Sequence, residues 1–372
     1  MLGVRRVGDW IGDRFEVFDV HEGGMSLVYV VHDHMVQCGR SVVALKTLKD
    51  ELLSHKIRRS RFAKECRLWV QLGQHPNIVQ AHAVEIIEGK PYVILELVQG
   101  GDLIRWIGTP KLDLAQALRF GVQFCQGMEH ALRQGLNCHR DIKPGNLLIT
   151  EGGILKITDF GLARICEEMV AVRPELPDGS IPLADAPRSP QRIIFTDPRD
   201  QISKPVGLTK SAPARVAQPV GTNGTSAPGP PTPGTVDKES SESVIPLEPF
   251  NPRLTRSGSK LGTGAYMAPE QFRDPASVDI RADIYAFGVV LFEMITGKLP
   301  FRGKSMGMLD RQHTRYDPPS TVPSIARSMA RVAVDVDRVV QRCLRKDPAD
   351  RFRGMTELRR ALLSILNRIG GR

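Results

Sequence analysis

His139-Arg140-Asp141-Ile142-Lys143-Pro144-Gly145-Asn146, followed thirteen positions later by Asp159-Phe160-Gly161, is the stretch on which the reading of this chain turns. It places a carboxylate, a cation and a carboxamide within six residues and adds a second carboxylate downstream. Phosphoryl chemistry needs this inventory. One carboxylate aligns an attacking hydroxyl and accepts its proton, two oxygen ligands hold a divalent cation, and an ammonium meets the charge on the moving group. A single Asp in a loop would carry no such meaning; the two spacings together do.

Working outward, Phe15–Val20, Leu27–Val31 and Val42–Lys46 are short β-branched and aromatic runs separated by polar turns, which predicts three strands. Val43-Ala44-Leu45-Lys46 closes the third, and Glu65 follows nineteen positions later within a helical pattern over 53–72 that stops before Gly73-Gln-His-Pro76. A Lys on a strand and a Glu on the helix packed against it would form an ion pair that aims the ammonium at phosphates. His21-Glu22-Gly23-Gly24-Met25-Ser26-Leu27-Val28 reads as strand–turn–strand, with small residues that let backbone N–H groups approach phosphate oxygens. Taken alone, that glycine pair reads more readily as a plain hairpin turn. Ile78–Ile87 and Tyr92–Leu97 predict a further hairpin around Glu88-Gly89-Lys90, and helical patterns follow over 114–134, 283–296 and 355–369. Strands plus one helix, then mostly helices, imply an α+β fold in two lobes.

Of 372 residues, 41% are hydrophobic and 25% charged, which excludes a fully disordered chain, a collagen-like fibre and a disulfide scaffold. Six Cys without a C-x-x-C pair read as reduced thiols rather than zinc ligands. The N-terminus lacks an apolar signal region and no window offers 18 uninterrupted apolar residues, so a soluble, cytoplasmic protein with neither membrane span nor anchor is expected. The net charge of +10 raises nucleic acid or another anionic partner, but scattered surface charge is the better reading. The basic residues lack aromatic interleaving and any nucleic-acid motif, so no nucleic-acid partner is expected. Composition shifts abruptly between about 171 and 260, which holds 16 of the 27 Pro and no Trp or Tyr. Such a segment cannot bury enough apolar surface to offset about 1–2 kcal/mol of ordering entropy per residue, so 166–260 reads as a disordered insert. Its charges roughly balance, leaving the positive excess to the flanks.

With Gly262-Thr263-Gly264-Ala265-Tyr266-Met267-Ala268-Pro269-Glu270, Asp283-Ile-Tyr-Ala-Phe-Gly288 and Asp347-Pro-Ala-Asp-Arg351 in order downstream, the chain resembles the eukaryotic-type Ser/Thr protein kinases. Within them it is most similar to the bacterial (Hanks-type) branch. The resemblance implies a kinase N-lobe over 10–98 and a C-lobe over 99–165 and 261–367, the insert lying inside the activation segment. It implies ATP and Mg²⁺, and protein Ser/Thr hydroxyls as acceptors. Carried over residue by residue, Asp141 is the catalytic base, Lys143 contacts the γ-phosphate, and Asn146 and Asp159 ligate the metal. Lys46 pairs with Glu65, and the backbone of Gly23, Gly24, Met25 and Ser26 covers the phosphates. Val28, Ala44 and Leu148 sandwich the adenine, Glu96 and Val98 bind its edge beside the gatekeeper Leu95, and Asp102 takes the ribose. Thr263 braces Asp141 and Lys143, Glu270 pairs with Arg351, and Trp69, Ala81, Phe160 and His139 form an apolar column.

Two departures stand out. His21 takes the place of the first glycine of the phosphate loop, where a Cβ crowds the cleft, so weaker or slower ATP binding is expected. Asp159 and Glu270 lie 111 positions apart. Lengthening a loop from roughly 25 to 110 residues costs about 1.3 kcal/mol, so the insert is expected to loop out. Arg140 beside Asp141 marks, by the resemblance, a kinase switched by activation-segment phosphate, which points to autophosphorylation at Thr255 or Ser257. The run Pro228-Gly-Pro-Pro-Thr-Pro233 reads as linker or as a docking segment for an SH3- or WW-like adaptor. The alternatives are a pseudokinase scaffold, favoured only by His21, and a small-molecule phosphotransferase, which would lack the 262–270 and Arg351 elements.

Overall fold

The structure is a computed structural model; it describes residues 4–35, 42–53, 56–160, 260–274, 278–325 and 329–370. The expected insert lies outside these residues except for Lys260, and so do Thr255, Ser257 and the proline run.

The first strands are β1 (Trp10–Ile11), β2 (Phe15–Glu22), β3 (Ser26–Asp33) and β4 (Val42–Leu48). A short helix α1 (Asp50–Leu53) and α2 (Lys56–Gln71) follow, then β5 (Ala81–Ile87) and β6 (Lys90–Glu96). The six strands form one antiparallel sheet in the order β1-β2-β3-β4-β6-β5. Alternation along β4 divides its side chains between two cores. Val43 and Leu45 join Phe15, Tyr29 and Ile94 on one face, while Ala44 and Leu48 face the core that includes Phe62, Cys66 and Trp69 of α2. Lys46, two positions from each of Ala44 and Leu48, shares their face. β5 begins at Ala81 rather than Ile78 because the preceding backbone is claimed elsewhere. Val79 N–H donates to the Ile157 carbonyl (2.9 Å), and Ile157 N–H to that of Asn77 (3.0 Å).

The helical part opens with α3 (Leu114–Arg133), whose N-cap Asp113 accepts the Gln116 N–H at 2.7 Å. Two short strands follow, β7 (Leu147–Ile149) and β8 (Leu155–Ile157), then α4 (Lys260–Gly264) and α5 (Ile280–Thr296). The chain continues through α6 (Met306–Arg315), α7 (Ala330–Cys343) and α8 (Met355–Gly370). Twelve residues of α5 are buried, so it runs through the core rather than over it. Phe287 of α5 stacks on Phe124 of α3 with ring centroids 4.1 Å apart. Gly127 lets α3 approach the loop before β5; a Cβ there would stand 2.7 Å from the Asn77 carbonyl oxygen. Helices α6 and α7 were not anticipated individually, although Val332, Ala333, Val336, Val339, Val340 and Cys343 bury one helical stripe.

Candidate active site

The site is assembled on α5. Asp283, 1% exposed, accepts the backbone N–H groups of His139 (2.7 Å) and Arg140 (2.8 Å) on its two carboxylate oxygens. Burial pushes this carboxyl up, and His139 and the two amides partly offset that. His139 bridges to the residue just past β8, its Nε2 lying 2.9 Å from the Thr158 carbonyl oxygen. The Asp141 N–H approaches Nδ1 at 3.4 Å, so the network assigns the proton to Nε2. Arg140 adopts a left-handed backbone (φ 71°) that turns its carbonyl toward the Gln271 amide nitrogen at 3.1 Å.

Asp141 is thereby held in a cage. Its Oδ2 accepts from Lys143 Nζ (2.8 Å) and Asn146 Nδ2 (3.0 Å), and its backbone carbonyl accepts from the same Nδ2 (2.8 Å). Lys143 Nζ also donates to Thr263 Oγ1 at 3.2 Å. Asp141 Oδ1 is buried and has no hydrogen-bond partner among the described residues. Asp159 enters from the end of β8, left-handed at φ 69°, and its Oδ1 accepts from Lys46 Nζ at 2.5 Å. Burial alone would raise the Asp159 carboxyl, but the ammonium groups of Lys46 and Lys143 outweigh it and hold it below the usual carboxylate range. Asn146 spends its amide nitrogen on Asp141, so among the described residues its oxygen and Asp159 Oδ2 remain as acceptors. No cluster of three His, Cys, Asp or Glu ligands occurs among the described residues. Two oxygens at such a position suit an ion that keeps most of its coordination for phosphates and water.

The expected pairing of Lys46 with Glu65 differs from what is found. Lys46 makes its ion pair with Asp159, and among the described residues none joins it to Glu65, which is not without a partner of its own. The apolar column is nonetheless assembled. Phe160 lies 6.0 Å from the Trp69 ring and edge-on to His139 at 4.8 Å, with Ala81 buried in the same core. Trp69 is fixed by its indole N–H, which donates to the Val79 carbonyl at 2.9 Å.

Along the cleft, Gly23 N–H donates to the Ser26 carbonyl (2.8 Å) and Lys49 N–H to that of Met25 (3.0 Å), closing the β2–β3 turn around Gly24. His21 lies on β2 opposite Val28, its Nε2 3.4 Å from Asp19 Oδ2. Val28 and Leu148 pack against the same core as Ala44. No hydrogen bond claims the Val98 N–H among the described residues. Asp102 is 5% exposed, its Oδ1 has no hydrogen-bond partner among the described residues, and burial pushes its carboxyl up to about 6. The Glu96 side chain has a task that sequence reasoning missed: its Oε1 accepts from Lys156 Nζ (2.6 Å) and Gln80 N–H (2.7 Å). Arg351 and Glu270 meet as expected, through two bonds of 2.6 and 2.8 Å.

Two family descriptions match in succession: "Protein tyrosine and serine/threonine kinase" over residues 20–179 and "Protein kinase domain" over 251–361. The chain belongs to the protein kinase family. Its relatives include the serine/threonine-protein kinase PknB of Mycobacterium leprae, 26% identical over 361 residues, covering 95% of this chain and 43% of that protein. PknB of Mycobacterium tuberculosis is 27% identical over 367 residues, covering 96% and 44%. The chain thus spans less than half the length of these curated relatives. Its fold is shared with a crystal structure of the Mycobacterium tuberculosis PknI kinase domain, at a TM-score of 0.56 and 18% identity, covering 97% of this chain and 99% of that one. Among the described residues, no helix is long and apolar enough to cross a membrane.

Proposed function

We propose that this chain is a Ser/Thr protein kinase that transfers the γ-phosphoryl group of ATP to protein hydroxyls. The observation that carries the reading is the division of labour within Asp141, one oxygen held by Lys143 and Asn146 and the other buried with no partner among the described residues. An aliphatic hydroxyl arriving at Oδ1 meets an acceptor whose position is already fixed. Asp141 orients it and takes its proton as the oxygen bonds to phosphorus. Lys143, held between Asp141 and Thr263, meets the negative charge on the transferred group. Lys46, held by Asp159, presents its ammonium to the α- and β-phosphates.

Asn146 and Asp159 would hold Mg²⁺, which when bound neutralises phosphate charge. The unpartnered Asp102 Oδ1 suits a ribose hydroxyl donor, and the open Val98 N–H suits a ring nitrogen of adenine beside the Glu96 carbonyl. Val28, Ala44 and Leu148 supply the apolar walls, and the Gly23–Ser26 turn covers the phosphates. The buried free thiols Cys66, Cys125, Cys138 and Cys343 fit a reducing, cytoplasmic setting. Thr255 or Ser257 as an autophosphorylation site, and the proline run as an adaptor segment, complete the reading.

Incubation of the full chain with Mg²⁺, radiolabelled ATP and a generic protein substrate tests it, with Asp141→Asn as control. Label on protein is the expected outcome. Nucleotide binding without transfer would instead make the chain a pseudokinase scaffold.

A further inference from the structure

A groove of about 620 Å³ opens beside the catalytic loop, reaching from Lys143 and Gly145 to the loop that follows α5. Its apolar lining includes Ile104, Ile107, Tyr266, Leu299, Phe301 and Leu309. Four charged side chains face it: Lys143, Glu293, Lys298 and Arg302.

Two of the four are already committed. Lys143 is bonded to Asp141. Glu293, half-buried near the end of α5, accepts the Tyr266 hydroxyl at 2.7 Å, and burial pushes its carboxyl up, weakening its claim on a cation. Lys298 and Arg302 are exposed, and among the described residues neither terminal group has an ion-pair or hydrogen-bond partner. Their loop is nevertheless anchored. Gly297 caps α5 at φ 70°, Thr296 Oγ1 donates to the Lys298 carbonyl (2.9 Å), and Arg302 N–H donates to Gln312 Oε1 on α6 (2.6 Å). Phe301 is buried against His313, ring centroids 4.9 Å apart. A fixed loop thus holds two exposed cations over an apolar floor, next to the carboxylate that receives the hydroxyl; Arg302 feels the charge of Glu293 across the groove but forms no ion pair with it among the described residues. The chain's +10 charge biases the surrounding field the same way.

We propose that this groove selects acceptor segments carrying Asp or Glu and an apolar side chain close to the phosphorylated Ser or Thr, and disfavours Lys- or Arg-rich ones. The inference rests on the kinase reading above and names its substrate class. Lys298 and Arg302 supply the attraction, and the apolar wall takes the neighbouring side chain.

The test is a positional peptide array with the full-length protein and Mg-ATP, each position beside the acceptor varied through Asp, Ala, Lys and Leu. Acidic peptides are expected to show kcat/KM about five- to tenfold above their Ala counterparts, mainly through KM, with Lys peptides below both. The advantage should shrink as salt is raised from about 0.05 to 0.5 M. Charge reversal at both positions, Lys298→Glu with Arg302→Glu, should invert the order. Equal or better phosphorylation of basic peptides by the wild type overturns the inference and leaves the kinase reading standing. Failure to label any peptide or protein overturns the kinase reading itself. The wild-type array decides the matter even where the double variant does not fold.

Discussion

Lys46 Nζ lies 2.5 Å from Asp159 Oδ1, joining the central strand β4 to the residue two positions past β8, 113 positions along the chain. The two side chains are 9% and 17% exposed, so the contact is largely shielded from water. The ammonium keeps the carboxylate ionised in a place where burial would otherwise favour its neutral form. Lys46→Met therefore leaves a buried carboxylate without its cation, a change that typically costs about 3–5 kcal/mol. A depressed carboxyl stabilises the fold above its unfolded pKa, and that contribution fades as pH falls through its folded value. The stability gap between wild type and Lys46→Met should therefore be widest near neutrality and close on acidification, as urea melts across pH will read. Adding Asp159→Asn should recover part of the loss.

Replacing the proposed base isolates chemistry from binding. Asp141→Asn keeps the size of the side chain but removes the proton acceptor, so turnover should fall by about 10²–10⁴-fold. ATP affinity, read by calorimetry, should stay within a few-fold, because no nucleotide contact is assigned to Asp141.

Asp102 supplies a pH signature. Its carboxyl is pushed up to about 6 by burial, against about 3.9 in an unfolded chain. Between those values the folded protein holds a proton that the unfolded chain has lost, so stability declines as pH rises through that window and stays lower above it. Asp102→Asn should be more stable than wild type above about pH 6, by on the order of 2 kcal/mol, with no gain below about pH 4. Denaturation midpoints at the two pH values measure this. The same variant should bind ATP more weakly, since the ribose acceptor is gone.

Arg351 is fully buried, and besides the two bonds to Glu270 it donates to the carbonyls of Arg345 (2.8 Å), Arg281 (2.9 Å) and Lys346 (3.2 Å). Lysine cannot reproduce that fork of donors. Arg351→Lys should destabilise the protein by about 3 kcal/mol or more in chemical denaturation, and Glu270→Gln by less, because the carbonyl partners of Arg351 survive.

His21→Gly tests the phosphate loop. Removing the Cβ from β2 widens the entrance above Gly23, and the KM for ATP should fall by about two- to fivefold, a change of under 1 kcal/mol. An unchanged or higher KM would show that the imidazole beside Asp19 is neutral or useful to nucleotide binding.

The catalytic loop was legible because its chemistry is local. Asp141, Lys143 and Asn146 sit on one short turn, so their spacing already implies their convergence. The partner of Lys46 was not legible. Glu65 and Asp159 are both carboxylates within plausible reach, and which one holds the ammonium depends on a side-chain choice that spacing does not encode. Lys156 gave no signal either, since a lysine on an edge-like strand reads as solvated until β8 is seen beside Glu96. Asp102 was found as a ribose residue by resemblance, but its unpartnered oxygen and raised carboxyl belong to the packing around it. The boundary at Ala81 eluded the pattern of apolar residues because Ile78 and Val79 are equally apolar but bond to β8.

Asp283 contributes nothing to chemistry, yet one side chain on a submerged helix grips two consecutive amides of the loop that bears Asp141. Because one carboxylate serves both amides, losing it releases both of them at once. Faults introduced near Asp283 should accordingly divide a preparation into fully competent molecules and inert ones, so titration of working sites, rather than the average turnover, is the quantity that will register them.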